Sequence, residues 1–367
     1  MRVEQIAVLG FRNLADSAIR PGAGVTVLWG PNGAGKTNWL EAAYMALAGR
    51  SCRTRDDREL IAFGAAVARA EARVAEGGQR REFLAAVERG TGRRQLVDGT
   101  AAGPEAADLR PPIAVFMPDR LALVKGPPAG RRSHLDRFCA ALRPASAEIR
   151  RRYARALAQR NALLARIRAG AAPDSLDAWD LELATAGVDL MAARADAAER
   201  LALDFTRYAD ELGLDGEAQL RYRPRCEQAD ADGFRSELER RLEPDIARGY
   251  TGWGPHLDEL ALELGGRSLR RYGSQGEQRI ALLALLFAER GALIADRRPT
   301  PLMLLDDVTS ELDGERRRML FEALAGDGQA LLTATGLEQL PSVIPREEIA
   351  VRDGRTIAAL ADDAAAA

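Results

Sequence analysis

Two short stretches near the start of the chain carry a strand rhythm. Val3 to Leu9 alternates in part between apolar and polar positions, and Val25 to Trp29 is a continuous apolar run. The first predicts a half-buried strand and the second a buried one. A glycine-rich turn then leads into a stretch from Lys36 to Ala48, where Leu40, Ala43, Tyr44 and Leu47 recur at helical spacing. Residues 60–116 predict strands, punctuated by turns at Gly77-Gly78, Gly90-Thr91-Gly92 and Asp98-Gly99 and closed by the run Ile113 to Phe116.

The period changes after Pro118. Residues 131–212 predict helices, broken at Arg143-Pro144 and between Ala169 and Pro173. Tyr153, Leu157, Leu164 and Ile167 mark one apolar stripe, and Leu176, Trp179, Leu183, Leu190, Leu201, Phe205 and Leu212 mark another. Asp174 or Ser175 is the expected N-cap of the second stripe's helix and Gly213 its C-cap. A further helix is expected over roughly Ala231 to Ile246, and a strand from Glu259 to Leu264 that Gly265-Gly266 turns back. Helix and strand then alternate up to a low-complexity tail, Ala361 to Ala367. The layout predicts an α/β fold in two lobes: a head built from 1–118 and 250–367, with a mixed sheet and helices, and a helical arm over 119–249.

Composition narrows the picture. The 367 residues, 47% of them hydrophobic, suffice for two cores. With 29% charged residues and no long apolar run, no membrane span is expected. Met1 to Gln5 lacks the apolar core of a secretory signal, so the expected compartment is the cytoplasm. Cys52, Cys139 and Cys226 are scattered, which suits reduced thiols and not a zinc site. A formal charge of −2 does not advertise a polyanion partner, although 52 basic and 54 acidic residues could be sorted onto different faces. The only lysines are Lys36 and Lys125, every other basic residue being arginine, so a lysine at 36 points to chemistry.

That lysine closes Gly30-Pro31-Asn32-Gly33-Ala34-Gly35-Lys36-Thr37, a full G-x-x-x-x-G-K-[ST] phosphate loop between a strand and a helix. Glycines let successive backbone N–H groups face phosphate oxygens, and the helix N-terminus adds partial positive charge. Lys36 is expected on the β- and γ-phosphates of ATP, and the Thr37 hydroxyl on Mg²⁺. Far along the chain, the apolar run Leu302 to Leu305 ends in Asp306-Asp307. In a parallel sheet this strand would end beside the phosphate loop. Asp306 then joins Thr37 as the metal pair, and Asp307 orients or deprotonates the attacking water.

The wide separation of Lys36 from Asp306 demands a large insertion and excludes a compact GTPase-like domain. Gly273-Ser274-Gln275-Gly276-Glu277-Gln278-Arg279 opens an apolar helix about 30 residues before Asp306. Its N–H-rich start is a second phosphate cradle, used best on an ATP held by a second copy of the chain. Ser274, Gly276 and Gln278 are its candidate ligands, and the acidic loop Ser310-Glu311-Leu312-Asp313 completes the pattern.

This order of motifs resembles the heads of ABC-type ATPases. In detail the chain resembles the RecF recombination-mediator family, through Gly10-Phe11-Arg12-Asn13-Leu14, Lys36 to Ala42, Arg53-Thr54-Arg55, Phe63-Gly64, Leu123 to Pro127 with Arg131-Arg132, and Thr251-Gly252-Trp253-Gly254-Pro255-His256. The resemblance implies a cytoplasmic protein that dimerises on ATP and binds DNA at duplex and single-strand gap junctions. It also implies work with RecO- and RecR-type mediator proteins to load RecA recombinase on strands coated by single-strand-binding protein. Leu257 and Glu259, Pro118-Asp119-Arg120 and Ser133-His134 depart from the family pattern.

Further expectations rest on individual residues and one arginine cluster. Asn38 extends the ATP set, Arg12 and Asn13 are candidates for adenine, and Thr335 for the γ-phosphate. His256 is read as a structural hydrogen-bonding residue, and Arg50, Arg53, Arg55 and Arg58 as a solvated cluster that could alternatively meet DNA phosphates. A transporter-type subunit or another SMC-like head is the alternative. The first expects a glutamate where Asp307 stands and the second hundreds of heptad residues that this chain lacks.

Overall fold

The computed structural model describes residues 1–103, 109–117, 121–172, 176–227, 230–296, 298–310, 312–326, 328–338, 340–341 and 345–358. Pro118 to Arg120, the N-cap candidates Asp174 and Ser175, Glu311 and the alanine tail lie outside the described residues. The chain divides into two compact units, Met1–Arg120 with Pro299–Ala367, and Leu121–Arg298.

In the first unit the half-buried N-terminal segment is β1 (Arg2–Leu9), which joins β2 (Ser17–Ile19), β4 (Val67–Glu76), β5 (Gln79–Glu88), β6 (Gly92–Val97) and β7 (Thr100–Ala101) in a six-stranded antiparallel sheet. The expected glycine turns connect these strands. The apolar run is β3 (Val25–Trp29), the start of a second sheet with β8 (Ile113–Phe116), β12 (Leu302–Leu305), β13 (Ala330–Ala334), β14 (Arg346–Arg352) and β15 (Arg355–Ala358). Its order is β15-β14-β3-β13-β12-β8, parallel except for the last hairpin. Four of these strands read as continuous apolar runs because both of their faces are covered. The helix α1 (Lys36–Ala48) packs its apolar residues, Trp39 and Leu40 among them, into one core with the antiparallel sheet and with Leu304 and Leu331 of the parallel one. Helix α10 (Gly314–Leu324) follows β12, capped by Asp313 Oδ1 accepting from Arg316 N–H at 2.9 Å.

The second unit holds α2 (Ala122–Lys125), α3 (Pro128–Leu142), α4 (Ala145–Arg168), α5 (Leu176–Glu211), α6 (Ala231–Arg240), α7 (Leu242–Arg248), α8 (Leu269–Tyr272) and α9 (Gln275–Ala295). The breaks between α3, α4 and α5 fall where the sequence predicts them, and Gly213 follows α5 at φ 76°. A strand the pattern left unread, β9 (Ala218–Arg223), pairs with β10 (Glu259–Leu264), itself turned back on β11 (Arg267–Ser268). This pairing corrects the expected boundary at residue 249. A cut there would sever an antiparallel sheet, and α9 packs along α5, so the unit continues to Arg298.

The arm's core gathers Tyr153, Leu183, Leu190, Phe234 and Trp253. Within the same unit lies a fully buried guanidinium. Arg160 donates to Asp180 (2.6 Å), Asp245 (2.7 Å) and Thr251 Oγ1 (2.9 Å). Removing one partner of such a set strands the others without water. Arg160→Met is therefore expected to cost about 3–5 kcal/mol of stability in chemical denaturation. Replacing Asp180 and Asp245 by leucine in the same chain should recover most of that loss, and no recovery would show that the ion pairs are not what the helices depend on.

Candidate functional site

The phosphate loop sits where β3 meets α1, at the edge where β12 and β13 also end. Gly35 forms the helix N-cap at φ 107°. The C-terminal hairpin braces the loop from one side. Asp353 (φ 48°) and Gly354 (φ 74°) make a two-residue turn between β14 and β15, of the kind that Asp-Gly favours. The Gly354 N–H donates to Ala34 O at 2.9 Å, and its carbonyl accepts from Ala15 N–H at 2.9 Å. A Cβ at this position would lie 2.0 Å from Asn13 O, so only glycine fits. Sequence reasoning passed over this turn, although an Asp-Gly pair between alternating residues is its ordinary signal.

Five residues meet at the loop's rear edge. Lys36 is buried, and its Nζ donates to Gly30 O (2.7 Å) and Pro31 O (2.9 Å). Burial lowers its pKa, with Asp306 and Asp307 pulling the other way. Thr37 Oγ1 donates to Asp306 Oδ1 at 2.8 Å, and Thr333 Oγ1 donates to the same oxygen at 2.8 Å. Burial holds the Asp306 carboxyl above its ordinary range against the pull of those two hydroxyls and of the Arg53 charge. Asp307 is exposed at φ 50°, a strained region for a residue with a Cβ, and its N–H donates to Thr333 Oγ1 at 2.9 Å.

Thr333 is therefore the residue that sequence reasoning missed. The nominated Thr335 lies exposed beyond the strand end, whereas Thr333, buried in β13 between β3 and β12, bridges both carboxylate residues. The available signal was a lone hydroxyl inside an otherwise apolar buried strand. A hydroxyl and a carboxylate oxygen held together are hard donors of the kind Mg²⁺ takes, and among the described residues no group of three or more Asp, Glu, His or Cys competes for a metal.

The other nominated residues divide into those that are free and those already occupied. Asn13 donates to Gly33 O (3.0 Å) and accepts from Asn38 Nδ2 (2.7 Å), which ties both to the loop. Arg12 is spent on the fully buried Glu41, through Nε at 2.6 Å and Nη2 at 2.9 Å. Arg53 also reaches Glu41 (3.1 Å) as well as Asn38 Oδ1 (2.9 Å), and Arg58 pairs with Asp56. In the second unit Ser274 caps α9 in a full capping box with Glu277 and is exposed, as is Gly276. Gln278 is a correction. It is buried, and its Nε2 donates to Leu269 O (2.9 Å) and Gly273 O (3.1 Å), so the amide holds the loop from behind. His256 is a structural residue, its ring nitrogens meeting Tyr153 Oη (2.7 Å) and Thr251 O (3.0 Å). Glu259, one of the departures from the family pattern, forms a two-point ion pair with Arg131 at 2.7 and 3.0 Å.

A strand–phosphate-loop–helix unit whose strand-end aspartate is bonded to the loop threonine is the nucleotide-binding core of a P-loop ATPase. Residues 5–110 match an AAA domain family model. The "DNA replication and repair protein RecF" of Heliobacterium modesticaldum is 37% identical over 92% of this chain and 93% of its own, and that of Anaeromyxobacter sp. strain Fw109-5 is 40% identical over 91% and 92%. The chain belongs to the RecF family. Among solved structures, that of the recombination mediator protein RecF-ATPrS in the RecFOR pathway superposes with a TM-score of 0.80 at 25% identity, covering 97% of each chain. An Smc head bound to the C-winged helix domain of ScpA shares the fold, with a TM-score of 0.60 at 16% identity over 96% of this chain and 95% of that one.

Two outcomes test the carboxylate edge. Thr333→Val removes the donor to Asp306 and the acceptor for Asp307 N–H, and should lower hydrolysis roughly 10- to 100-fold while changing nucleotide affinity little. Asp306 works in the opposite sense from a salt-bridged acid. Its raised folded pKa means that ionising it opposes folding, so stability is lost as pH rises from about 4 through that pKa. Asp306→Asn should thus leave the metal-free protein at least as stable at pH 8, read by thermal unfolding, while abolishing Mg²⁺-dependent turnover.

Proposed function

We propose that this chain is a DNA-binding ATPase of replication and recombinational repair, whose two ATP-loaded copies close on DNA at single-strand gaps and open on slow hydrolysis. The observation that carries the ATPase part is the Lys36–Thr37–Asp306–Thr333–Asp307 constellation at one sheet edge. On this reading ATP lies over residues 30–38, with its phosphates on the backbone N–H groups at the start of α1. The Lys36 ammonium leaves the carbonyls of Gly30 and Pro31 for the β- and γ-phosphates. Thr37 and Asp306 would hold Mg²⁺, whose charge would offset that of those phosphate oxygens. Asp307 orients the attacking water, and Thr335 touches the γ-phosphate.

An aspartate reaches about one bond less far than a glutamate, so turnover below about 10 s⁻¹ is expected. Asn13 and Arg12 lie on the nucleoside side, Arg12 acting in the geometry that Glu41 imposes. The second copy completes the site with its Ser274 hydroxyl and Gly276 N–H on the γ-phosphate. The exposure of Ser274 and Gly276 at the start of a long helix supports that assignment. The family name and the RecFOR-pathway neighbour support a role in DNA repair beside RecO- and RecR-type mediators, and on this reading the chain helps load RecA on strands coated by single-strand-binding protein in the cytoplasm. None of the described helices is long and apolar enough to cross a membrane; the transporter-type alternative is disfavoured by the aspartate at 307, where such a subunit expects a glutamate.

The test is association state by sedimentation, with ATP and Mg²⁺ and with or without gapped DNA. Wild type should shift to dimer on ATP. Ser274→Arg should stay monomeric yet bind ATP as well as wild type, and Lys36→Ala should lose both properties. A Ser274→Arg chain that dimerises like wild type would overturn the shared-ATP reading.

A further inference from the structure

Phe63 has no place in the ATP site, yet it is the most exposed large apolar side chain among the described residues, at 106% relative accessibility. An apolar ring left wholly in water usually marks a contact that the isolated chain does not make. The turn that carries Phe63 is held at both ends. Before it, Leu60 and Ile61 are buried, Ile61 bridges to Phe11, and Arg12 N–H donates to Leu60 O at 2.8 Å. Around it, Ala62 N–H donates to Gly10 O (2.9 Å) and Ala65 N–H to Ala62 O (3.0 Å). Gly64 follows at φ 83° with open space around it, so the backbone conformation, not crowding, requires glycine there. The ring is thus displayed from an anchored tip.

Its surroundings suit a flat, anionic partner. Ala62, Gly64, Ala65 and Ala66 are small, which leaves both ring faces open to approach. Arg89 is exposed and fixed to the same turn, its Nε donating to Ala65 O at 3.2 Å, while Arg69 on the adjoining strand β4 is exposed but ion-paired with Glu71. The acidic Asp16 has its Oδ1 occupied by Gly10 N–H at 2.7 Å. A protein-binding hot spot is ordinarily set within a broad apolar patch, whereas here one ring stands among small residues and guanidinium groups. That combination is how proteins stack an unpaired base while neutralising its phosphate.

We propose that Phe63 stacks on an unstacked base where duplex DNA gives way to single strand, with Arg89 on the flanking phosphate. The proposal rests on the DNA-gap reading above and would make this tip the element that distinguishes a junction from continuous duplex.

Because Phe63 buries nothing, its variants should fold as wild type, which makes the test direct. Gapped and intact duplexes carrying 2-aminopurine at the junction would be titrated with wild type, Phe63→Ala, Phe63→Leu and Phe63→Trp, with ATP and Mg²⁺ at fixed salt. Phe63→Ala and Phe63→Leu should lose about 5- to 150-fold in affinity for gapped DNA, the range of one base stacked on one ring, and no more than about twofold for intact duplex. Wild type and Phe63→Trp should quench 2-aminopurine, and the other two should not. Equal binding of gapped DNA by Phe63→Ala and wild type overturns the proposal. So does an undiminished quench with Phe63→Leu, and so does a loss confined to self-association. A wild type that binds no DNA would instead remove the DNA reading itself, a result seen before any variant is compared.

Discussion

A single buried carboxylate governs the first unit. Asp306 is pulled out of water at the end of β12, where its charge is costly, and two hydroxyls and a buried lysine amine gather around it. That cost is tolerable only if the surrounding donors are fixed. The parallel order β3-β13-β12 supplies the rigidity, since the three strands end together and deliver Lys36 and Thr37, Thr333, and Asp306 to one edge. On the proposed reading, Thr37 and Asp306 are the residues that would hold Mg²⁺, whose charge would offset that of bound phosphates.

The strain around that edge is supported from outside it. Asp307 keeps a left-handed backbone because Thr333 holds its N–H, and the phosphate loop keeps its shape because the β14–β15 hairpin is pinned to Ala34 and Ala15. Behind α1, Glu41 collects Arg12, Arg53 and Ser51, so the arginines of the first unit are partly consumed in building the site. Their number in the sequence therefore overstates the positive charge available to a polyanion.

The second unit solves a different problem. Long helices with few large apolar residues must be held by polar contacts as well as by packing. Arg160 unites α4, α5, α7 and Thr251, while Arg194 of α5 joins Asp136 of α3 to Asp258. His256 and Tyr153 close the same region, where burial lowers the histidine's pKa. The Thr251-Gly252-Trp253-Gly254-Pro255-His256 motif is thus spent on architecture.

Local chemistry and chain order were enough to read the phosphate loop, the Asp306-Asp307 strand end, the capped start of α9 and the helix breaks at 143–144 and 169–173. Each of these is written in consecutive residues whose backbone needs are met within one or two turns. What required the tertiary structure depended on partners far apart in sequence. Thr333 rather than Thr335 became the bridge because strand order put it between β3 and β12, and Gln278 turned inward because α8 and Gly273 folded over it. Arg12 met Glu41, and β9 found β10, through pairings that no local period encodes. Periodicity fixes which face of an element is apolar. Which polar group on that element finds which distant partner is decided only when the elements pack.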